Sequence, residues 1–165
     1  MKKVTVQFLI NQPDADVYET ISDLSQYQVH AEAVNKVEVT NTGLNSCHST
    51  WEVKFRDGIL KWSENDIFIP EHKQIDFYQT KGDLAIFNGS WKAIKLNKNS
   101  TYLLFTATLD LGLPQLESLL EPIAEQALVE NITSIVNGLF KNNVNSEQDH
   151  SMHIDSTNED LLCTK

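Results

Sequence analysis

The chain begins with apolar and polar side chains in regular alternation, the period of a β-strand with one buried face. The apolar residues of this first strand are Val4, Val6, Phe8 and Ile10. After Pro13 the period changes, and apolar residues recur at helical spacing over the next dozen positions. A second short helix is predicted over residues 25–32, with Asp23 or Ser25 as its cap.

Six further alternating segments follow between residues 37 and 111, separated by residues that favour turns. The clearest turn is Asp57-Gly58, a pair that is typical of a β-hairpin. The other turns fall at 41–43, 70–72, 81–83 and 97–99. Because such short connections join antiparallel strands, the sequence predicts an antiparallel meander of seven strands in all.

The last element is a long amphipathic helix over residues 114–140, about 40 Å at 1.5 Å per residue. Its apolar residues recur three and four positions apart. They are Leu116, Leu119, Leu120, Ile123, Ala127, Leu128, Ile132, Ile135 and Leu139. Pro122 lacks a backbone donor, so we expect a kink or a break there. A helix of this length needs a surface of similar length to cover, and a curved sheet would supply one.

The hydrophobic fraction of 41% can build one core, and it falls away after residue 141. We therefore predict one domain over residues 1–141 and a flexible acidic tail over residues 142–165. The net charge of −10 argues against nucleic acid and anionic membranes as partners. No apolar run is long enough for membrane insertion, and no signal peptide is evident, so we expect a soluble cytoplasmic protein.

Aromatic side chains fall on one parity of the predicted strands, the parity that would share a face of the sheet. They are Trp51, Trp62, Phe87, Trp91 and Phe105. If this face is concave, it forms either a filled aromatic core or an apolar pocket. The small residues Ala85 and Gly89, on the same parity, favour a pocket because they leave space.

Glu64 and Asp66 alternate in phase with Trp62 and Phe68, so all four share one face. Two carboxyls on an apolar face would have one pKa raised, which general acid–base catalysis exploits. In the alternative arrangement Ile67 and Ile69 point inward and both acids are solvated. The pattern alone leaves both arrangements open.

Other candidates are isolated. Tyr27, His30 and Tyr78 could line the entrance of a cavity, with His30 better placed on the surface, and Asn131 lies in an apolar stretch of the last helix. The histidines and two cysteines lack metal-ligand spacing, and no nucleotide or dinucleotide fingerprint is present. We therefore expect neither a metal nor a cofactor.

The order strand, two short helices, six strands and long helix resembles the helix-grip fold of the START-like (SRPBCC) superfamily. Within it, the likeness is to the polyketide cyclase/dehydrase group, and it covers residues 4–140. The segments that carry it are 21–27, 62–66 with Pro70, 87–91, 101–110 and 113–114. The resemblance implies an α+β fold in which a seven-stranded antiparallel curved sheet wraps around a long C-terminal helix and encloses a cavity.

The resemblance also implies a hydrophobic or aromatic small molecule as ligand, and ring closure of a polyketide as activity. Glu64 and Asp66 would move protons beside carbonyls. The side chains predicted to bind substrate are Trp51, Trp62, Phe68, Phe87, Trp91, Phe105, Tyr27 and Asn131. An acyl carrier protein and a second copy of the chain are further partners to be tested. The alternatives are a non-catalytic carrier of a lipid, quinone or aromatic metabolite, and an interaction protein with a closed core.

One position departs from the related aromatase/cyclases, which commonly carry an arginine on this strand. When the strand is aligned on Pro70, Asp66 occupies that position, and Arg56 is the only arginine in the chain. An anion-stabilising cation is therefore missing from the expected place on this strand.

Overall fold

A computed structural model describes residues 1–145, and the following bounds refer to these residues. The strands are β1 (Lys2–Ile10), β2 (Val34–Gly43), β3 (Ser46–Phe55), β4 (Gly58–Ile69), β5 (Gln74–Gly82), β6 (Ile86–Asn97) and β7 (Ser100–Asp110). The α-helices are α1 (Asp14–Ser22), α2 (Tyr27–His30) and α3 (Glu117–Phe140). Single turns of 3-10 helix precede α2, follow β4 and flank α3.

The seven strands form one antiparallel sheet in the order β1-β7-β6-β5-β4-β3-β2. Every neighbour except β1–β7 is consecutive in the chain, as the meander predicted. The hairpin between β3 and β4 is present, but its turn is Arg56-Asp57 and Gly58 already belongs to β4. Arg56 takes the left-handed conformation of this turn, with φ of 57°, so the Asp57-Gly58 prediction was displaced by one residue.

The helical pair after β1 is shorter than predicted. Only residues 24–26, as a 3-10 turn, and α2 are helical within the predicted 25–32 segment. Asp23 precedes this turn, but its carboxylate accepts a hydrogen bond from the Ser25 hydroxyl at 2.9 Å and makes no cap bond to the backbone. The predicted capping was therefore wrong: the two candidate caps bond to each other.

The core lies between the concave face of the sheet and α3. The alternating residues Val4, Val6, Phe8 and Ile10 of β1 are 0–1% exposed, as their period predicted. The C-terminal two thirds of α3 bury a stripe that packs on the sheet. This stripe consists of Ala124, Ala127, Leu128, Ile132, Ile135, Val136 and Phe140.

The N-terminal end of α3 differs from the prediction in two ways. Leu116, Leu119 and Ile123 are 45–64% exposed, so the predicted apolar face is buried only further along the helix. The helix also continues through Pro122 without a break. Pro122 and Ser118, one turn earlier, both lie at exposed positions, where solvent can satisfy the carbonyl that proline leaves without a donor.

The folded unit extends four residues past the predicted boundary at 141. Val144 forms a β-bridge with Ile10, and the Asn145 amide donates to the Leu9 carbonyl at 2.9 Å. Residues 142–145 thus return to the edge of the sheet at β1. The remainder of the predicted tail lies outside the described residues. Within residues 1–145, no helix is long and apolar enough to cross a membrane.

Candidate functional site

A cavity lies between the concave sheet face and α3, with a volume of about 60 Å³. Its walls come from strands β3–β7, from α3 and from the segment between α1 and β2. They are formed by Leu24, Tyr27, Trp51, Val53, Phe55, Leu60, Trp62, Glu64, Asp66, Ile75, Phe77, Phe87, Trp91, Phe105, Leu128, Asn131, Ile132 and Ile135. About 10–15 Å³ accommodates one water, so this space holds a few water molecules. A ring-sized ligand requires side chains or α3 to move outward.

The pairing of β3 with β4 assembles the polar wall of the cavity. It sets Cys47 opposite Asp66, Ser49 opposite Glu64 and Trp51 opposite Trp62 on the inner face. Glu64 is 6% exposed and Asp66 is 1% exposed, whereas Ile67 on the opposite face is 39% exposed. The structure therefore has the two acids inward, and the alternative with Ile67 inward is wrong.

Glu64 and Asp66 hydrogen-bond to each other in this wall. Burial is the main cause that raises the pKa of Glu64 well above its ordinary value, and the hydrogen bond and charge of Asp66 add to it. The Trp62 indole donates to Glu64 Oε1 at 2.6 Å, and this hydrogen bond lowers the pKa of Glu64. Glu64 therefore keeps its proton to a higher pH than an exposed glutamate and can donate it to Asp66.

Ser49 connects the acid pair to the aromatic wall. Its hydroxyl donates to Asp66 Oδ2 at 2.5 Å and accepts from the Trp51 indole at 2.8 Å. The Cys47 thiol donates to the same carboxylate oxygen at 3.4 Å. Burial, followed by the charge of Asp66, raises the pKa of Cys47 to about 12, so this thiol is a hydrogen-bond donor and not a nucleophile.

The aromatic side chains form a continuous array around the acids. Trp51 and Trp62 stack with ring centroids 5.8 Å apart, and Trp62 meets Phe87 edge-on at 5.4 Å. Trp91 and Phe105 continue the wall, with their ring centroids 4.8 Å apart. These five aromatic residues, which the sequence placed on one parity, all line the cavity.

This architecture, a curved antiparallel sheet closed by a long helix over an internal cavity, is matched by a family model. Residues 10–136 match the model described as polyketide cyclase / dehydrase and lipid transport. The chain belongs to this family. The START-like fold that the sequence predicted is thereby confirmed.

Solved structures give the same result for the fold of this polyketide cyclase/dehydrase family member. A protein from Thermus thermophilus superposes with a TM-score of 0.77 at 23% identity, covering 84% of this chain and 94% of its own. The Zhui aromatase/cyclase from Streptomyces sp. R1128 superposes with a TM-score of 0.71 at 19% identity, covering 82% of this chain and 91% of its own. A START superfamily protein from Mycobacterium smegmatis superposes with a TM-score of 0.73 at 13% identity, covering 87% of this chain and 97% of its own. No curated protein sequence matches the chain.

Tyr27 and Asn131 line the cavity, but their polar ends are engaged with the protein backbone. Tyr27 is 2% exposed rather than at an entrance, and its hydroxyl donates to the Ile21 carbonyl at 2.7 Å. Burial is the main cause that raises the pKa of Tyr27 well above 10. The Asn131 amide donates to the Lys54 carbonyl at 2.6 Å. Both side chains therefore hold neighbouring elements in place around the cavity.

Phe68 does not line the main cavity. It lies in a separate depression with Cys47 and Val39, further along the sheet toward α1. The parity was right, but β4 is long enough to leave the cavity before Phe68. Phe68 is therefore separated from the cavity that Trp62 lines, and its contact with a substrate stays a prediction.

The small residues do not create the cavity space. A Cβ on Gly89 would lie 2.0 Å from the Thr106 carbonyl and 2.8 Å from Phe77 Cζ, so neighbouring atoms already fill this position. Ala85 is exposed. Neither residue lines the cavity, and the prediction from their size was wrong.

The surface candidates lie elsewhere. Tyr78 is 48% exposed on the outer face of β5, and His30 is exposed beside Leu139 in a shallow surface depression. Arg56 pairs with Glu130 on α3 at 3.7 Å and does not line the cavity. Within residues 1–145, no group of three or more His, Cys, Asp and Glu side chains could hold a metal ion. His150, His153 and Cys163 lie outside the described residues.

Sequence reasoning missed Ser49, Cys47 and Phe77. The signal for the first two was available, because Cys47, Ser49, Trp51 and Val53 share one parity on β3. Polar residues on an aromatic face carry the same signal as Glu64 and Asp66. The diagonal bond from Ser49 to Asp66 depends on the register of β3 against β4, which the sequence did not give.

Proposed function

We propose that this chain binds an aromatic or polyketide-type molecule in the cavity and promotes its cyclisation through proton transfer by Glu64 and Asp66. The observation that carries the proposal is the buried, hydrogen-bonded carboxyl pair in the wall of an aromatic cavity. Family membership supports it, as does the likeness to an aromatase/cyclase at the level of the fold.

The two carboxyls divide the roles of base and acid. Asp66, which accepts hydrogen bonds from Ser49 and Cys47, takes a proton from a carbon beside a carbonyl. Protonated Glu64 donates to the carbonyl oxygen, so the products are an enol, the Asp66 acid and the Glu64 carboxylate. The enol carbon then attacks a second carbonyl carbon, the oxygen of that carbonyl takes the proton from Asp66, and the enol O–H returns its proton to Glu64, which restores both carboxyls. General acid–base groups of this kind contribute about 10²–10⁴-fold in rate.

The aromatic wall supplies the positioning part of catalysis. Trp62, Phe87 and the other rings present flat apolar surfaces on which a flexible chain folds. Bringing two reacting carbons together in this way lowers the entropic part of the barrier. Because the cavity holds only about 60 Å³, binding is expected to include an outward movement of the wall.

The decisive experiment compares Glu64→Gln and Asp66→Asn with the wild-type chain on a synthetic poly-β-ketone thioester. We expect each variant to form cyclised product about 10²–10⁴-fold more slowly, by chromatography and mass spectrometry. Affinity, followed by tryptophan fluorescence, should change only a few-fold. Glu52→Gln, which removes a carboxylate from the outer face of β3, is the matched control and should keep full rate. Unchanged turnover in both inner variants would refute the catalytic role.

A non-catalytic carrier of a hydrophobic ligand is the second candidate. It is favoured by the hydrogen bonds of Glu64 and Asp66, which are made largely within the protein. In that case the wild-type chain binds the probe without forming product, and Glu64→Gln leaves affinity unchanged.

The proposed partners are tested separately. Leu116, Leu119 and Ile123 form an exposed apolar stripe near the N-terminus of α3, where a carrier-tethered substrate is proposed to approach. Cross-linking to an acyl carrier protein and the sedimentation mass of the purified chain test the carrier and homodimer hypotheses. Cytoplasmic location likewise stays a prediction.

A further inference from the structure

The cavity has an imbalance of charge. Glu64 and Asp66 both line it, and none of its lining residues within the described part of the chain is Lys, Arg or His. The chain's single arginine, Arg56 in the β3–β4 turn, is 43% exposed and paired with Glu130 on α3. No basic side chain that lines the cavity is therefore available to offset negative charge on the two carboxyls.

The hydrogen bonds of Asp66 leave it capable of accepting one more. An ionised carboxylate offers about four acceptor positions. Ser49 and Cys47 donate to Oδ2, and Glu64 shares a hydrogen bond with the carboxyl, which uses three positions. Asp66 is 1% exposed and lines the cavity, so a ligand in the cavity is the donor available to the remaining position.

The surrounding rings favour the same kind of ligand. Trp51, Trp62, Tyr27 and Phe87 lie in one connected array next to the acids. The face of an aromatic ring attracts cations, most strongly in tryptophan. A buried carboxylate framed by indoles repels anions, since bringing a second negative charge into low dielectric is costly.

We propose that the ligand of this cavity carries one positive charge, as a protonated amine on a small aromatic body, and that its N–H group donates to Asp66. The inference rests on the binding part of the proposed function and is independent of turnover. The chain's net charge of −10 also favours the approach of a cation.

Three probes that share one ring separate charge from shape: benzylamine, benzyl alcohol and benzoate. All three tryptophans line the cavity, so intrinsic fluorescence reports binding of each probe at pH 7. We expect benzylamine to bind at least about tenfold more tightly than benzyl alcohol, and benzoate most weakly. Benzyl alcohol binding as tightly as benzylamine would overturn the charge inference and leave the binding cavity intact. Failure of all three to bind would count against the cavity as a ligand site altogether.

Variants test whether Asp66 is the charge that selects the ligand. Asp66→Asn should reduce the preference for benzylamine to less than about threefold, with near-UV circular dichroism checking that the aromatic array is kept. The outer-face control Glu52→Gln leaves both cavity carboxyls in place and should keep the preference. A preference that survives Asp66→Asn, or that disappears equally in Glu52→Gln, would overturn the role of Asp66.

Discussion

Strands β4 and β7 follow the same alternation but present different chemistry to the interior. Apart from Thr101 at its start, whose hydroxyl donates to the Gln12 carbonyl, the inward residues of β7 are apolar and 0–2% exposed: Leu103, Phe105, Ala107 and Leu109. On β4 the same parity includes Glu64 and Asp66, which are buried almost as completely. Alternation therefore shows which residues face inward, but it does not show whether they pack as core or line a functional site.

The two strands contribute differently to the free energy of folding. Apolar burial on β7 stabilises the fold directly. The two buried carboxyls on β4 lose their hydrogen bonds to water. Hydrogen bonds from Ser49 and Trp62 replace these only in part. An apolar pair at these positions would serve the fold at least as well, so we infer that β4 keeps its acids for binding or catalysis.

The largest expected effect tests the apolar strand. Phe105→Ala should lower the free energy of unfolding by about 3–5 kcal/mol, because it removes a buried ring that packs on Trp91 and Phe77. Urea denaturation measures the loss. Leu96→Ala, at a side chain 48% exposed near the end of β6, is the control and should cost less than about 1 kcal/mol. Equal losses in the two variants would remove the basis of the comparison.

The next effect tests the polar wall. Ser49→Ala should lower the free energy of unfolding by about 1.5–3 kcal/mol, because it leaves Asp66 without its 2.5 Å donor. The neighbouring Thr50 on the outer face makes a neutral hydrogen bond to Ser63 at 2.9 Å. Thr50→Ala should therefore cost about 1 kcal/mol or less. If both substitutions cost the same in denaturation, Ser49 has no special role in holding Asp66.

The smallest effect appears as a dependence on pH. Because folding raises the pKa of Glu64, the folded chain holds this proton more tightly than the unfolded chain. The contribution is complete below the ordinary value of 4.5 and is lost as pH rises through the folded pKa. It therefore makes the free energy of unfolding fall with rising pH, by up to about 1.4 kcal/mol per unit.

Glu64→Gln isolates this contribution, since glutamine has no proton to lose. Between about pH 5 and about pH 7, the free energy of unfolding of the wild-type chain should fall relative to that of the variant. Parallel pH profiles for the two proteins would mean that Glu64 titrates normally and that the pair shares no proton.

The fold was largely predictable because it follows from local periods. Alternation located the strands, and the inward set of β1 was right at every position. Errors occurred where neighbours decide the outcome. Asp57-Gly58 is a typical turn, yet the pairing of Phe55 with Gly58 moved the turn to Arg56-Asp57. The leucines at the start of α3 are apolar but remain exposed, although their spacing predicted that they would be buried.

For the candidate site, the sequence predicted only which strand residues share a face of the sheet. The sequence placed Trp62, Glu64 and Asp66 on one face, and the structure brings them into the cavity wall. It also placed Phe68 there, because period alone does not show where a strand leaves a cavity. Gly89 was taken as a source of space, whereas the close approach of the Thr106 carbonyl fills it.

The sequence by itself determined the order of strands and helices along the chain, the long final helix and the parity on which two acids and three indoles fall. These follow from side-chain period and turn chemistry, which act between residues near in the chain. Tertiary structure decided that β1 pairs with β7, that this face is the concave one, that Glu64 and Asp66 share a hydrogen bond, and that the cavity is small. Those outcomes depend on strand register and sheet curvature, which only contacts between distant segments fix.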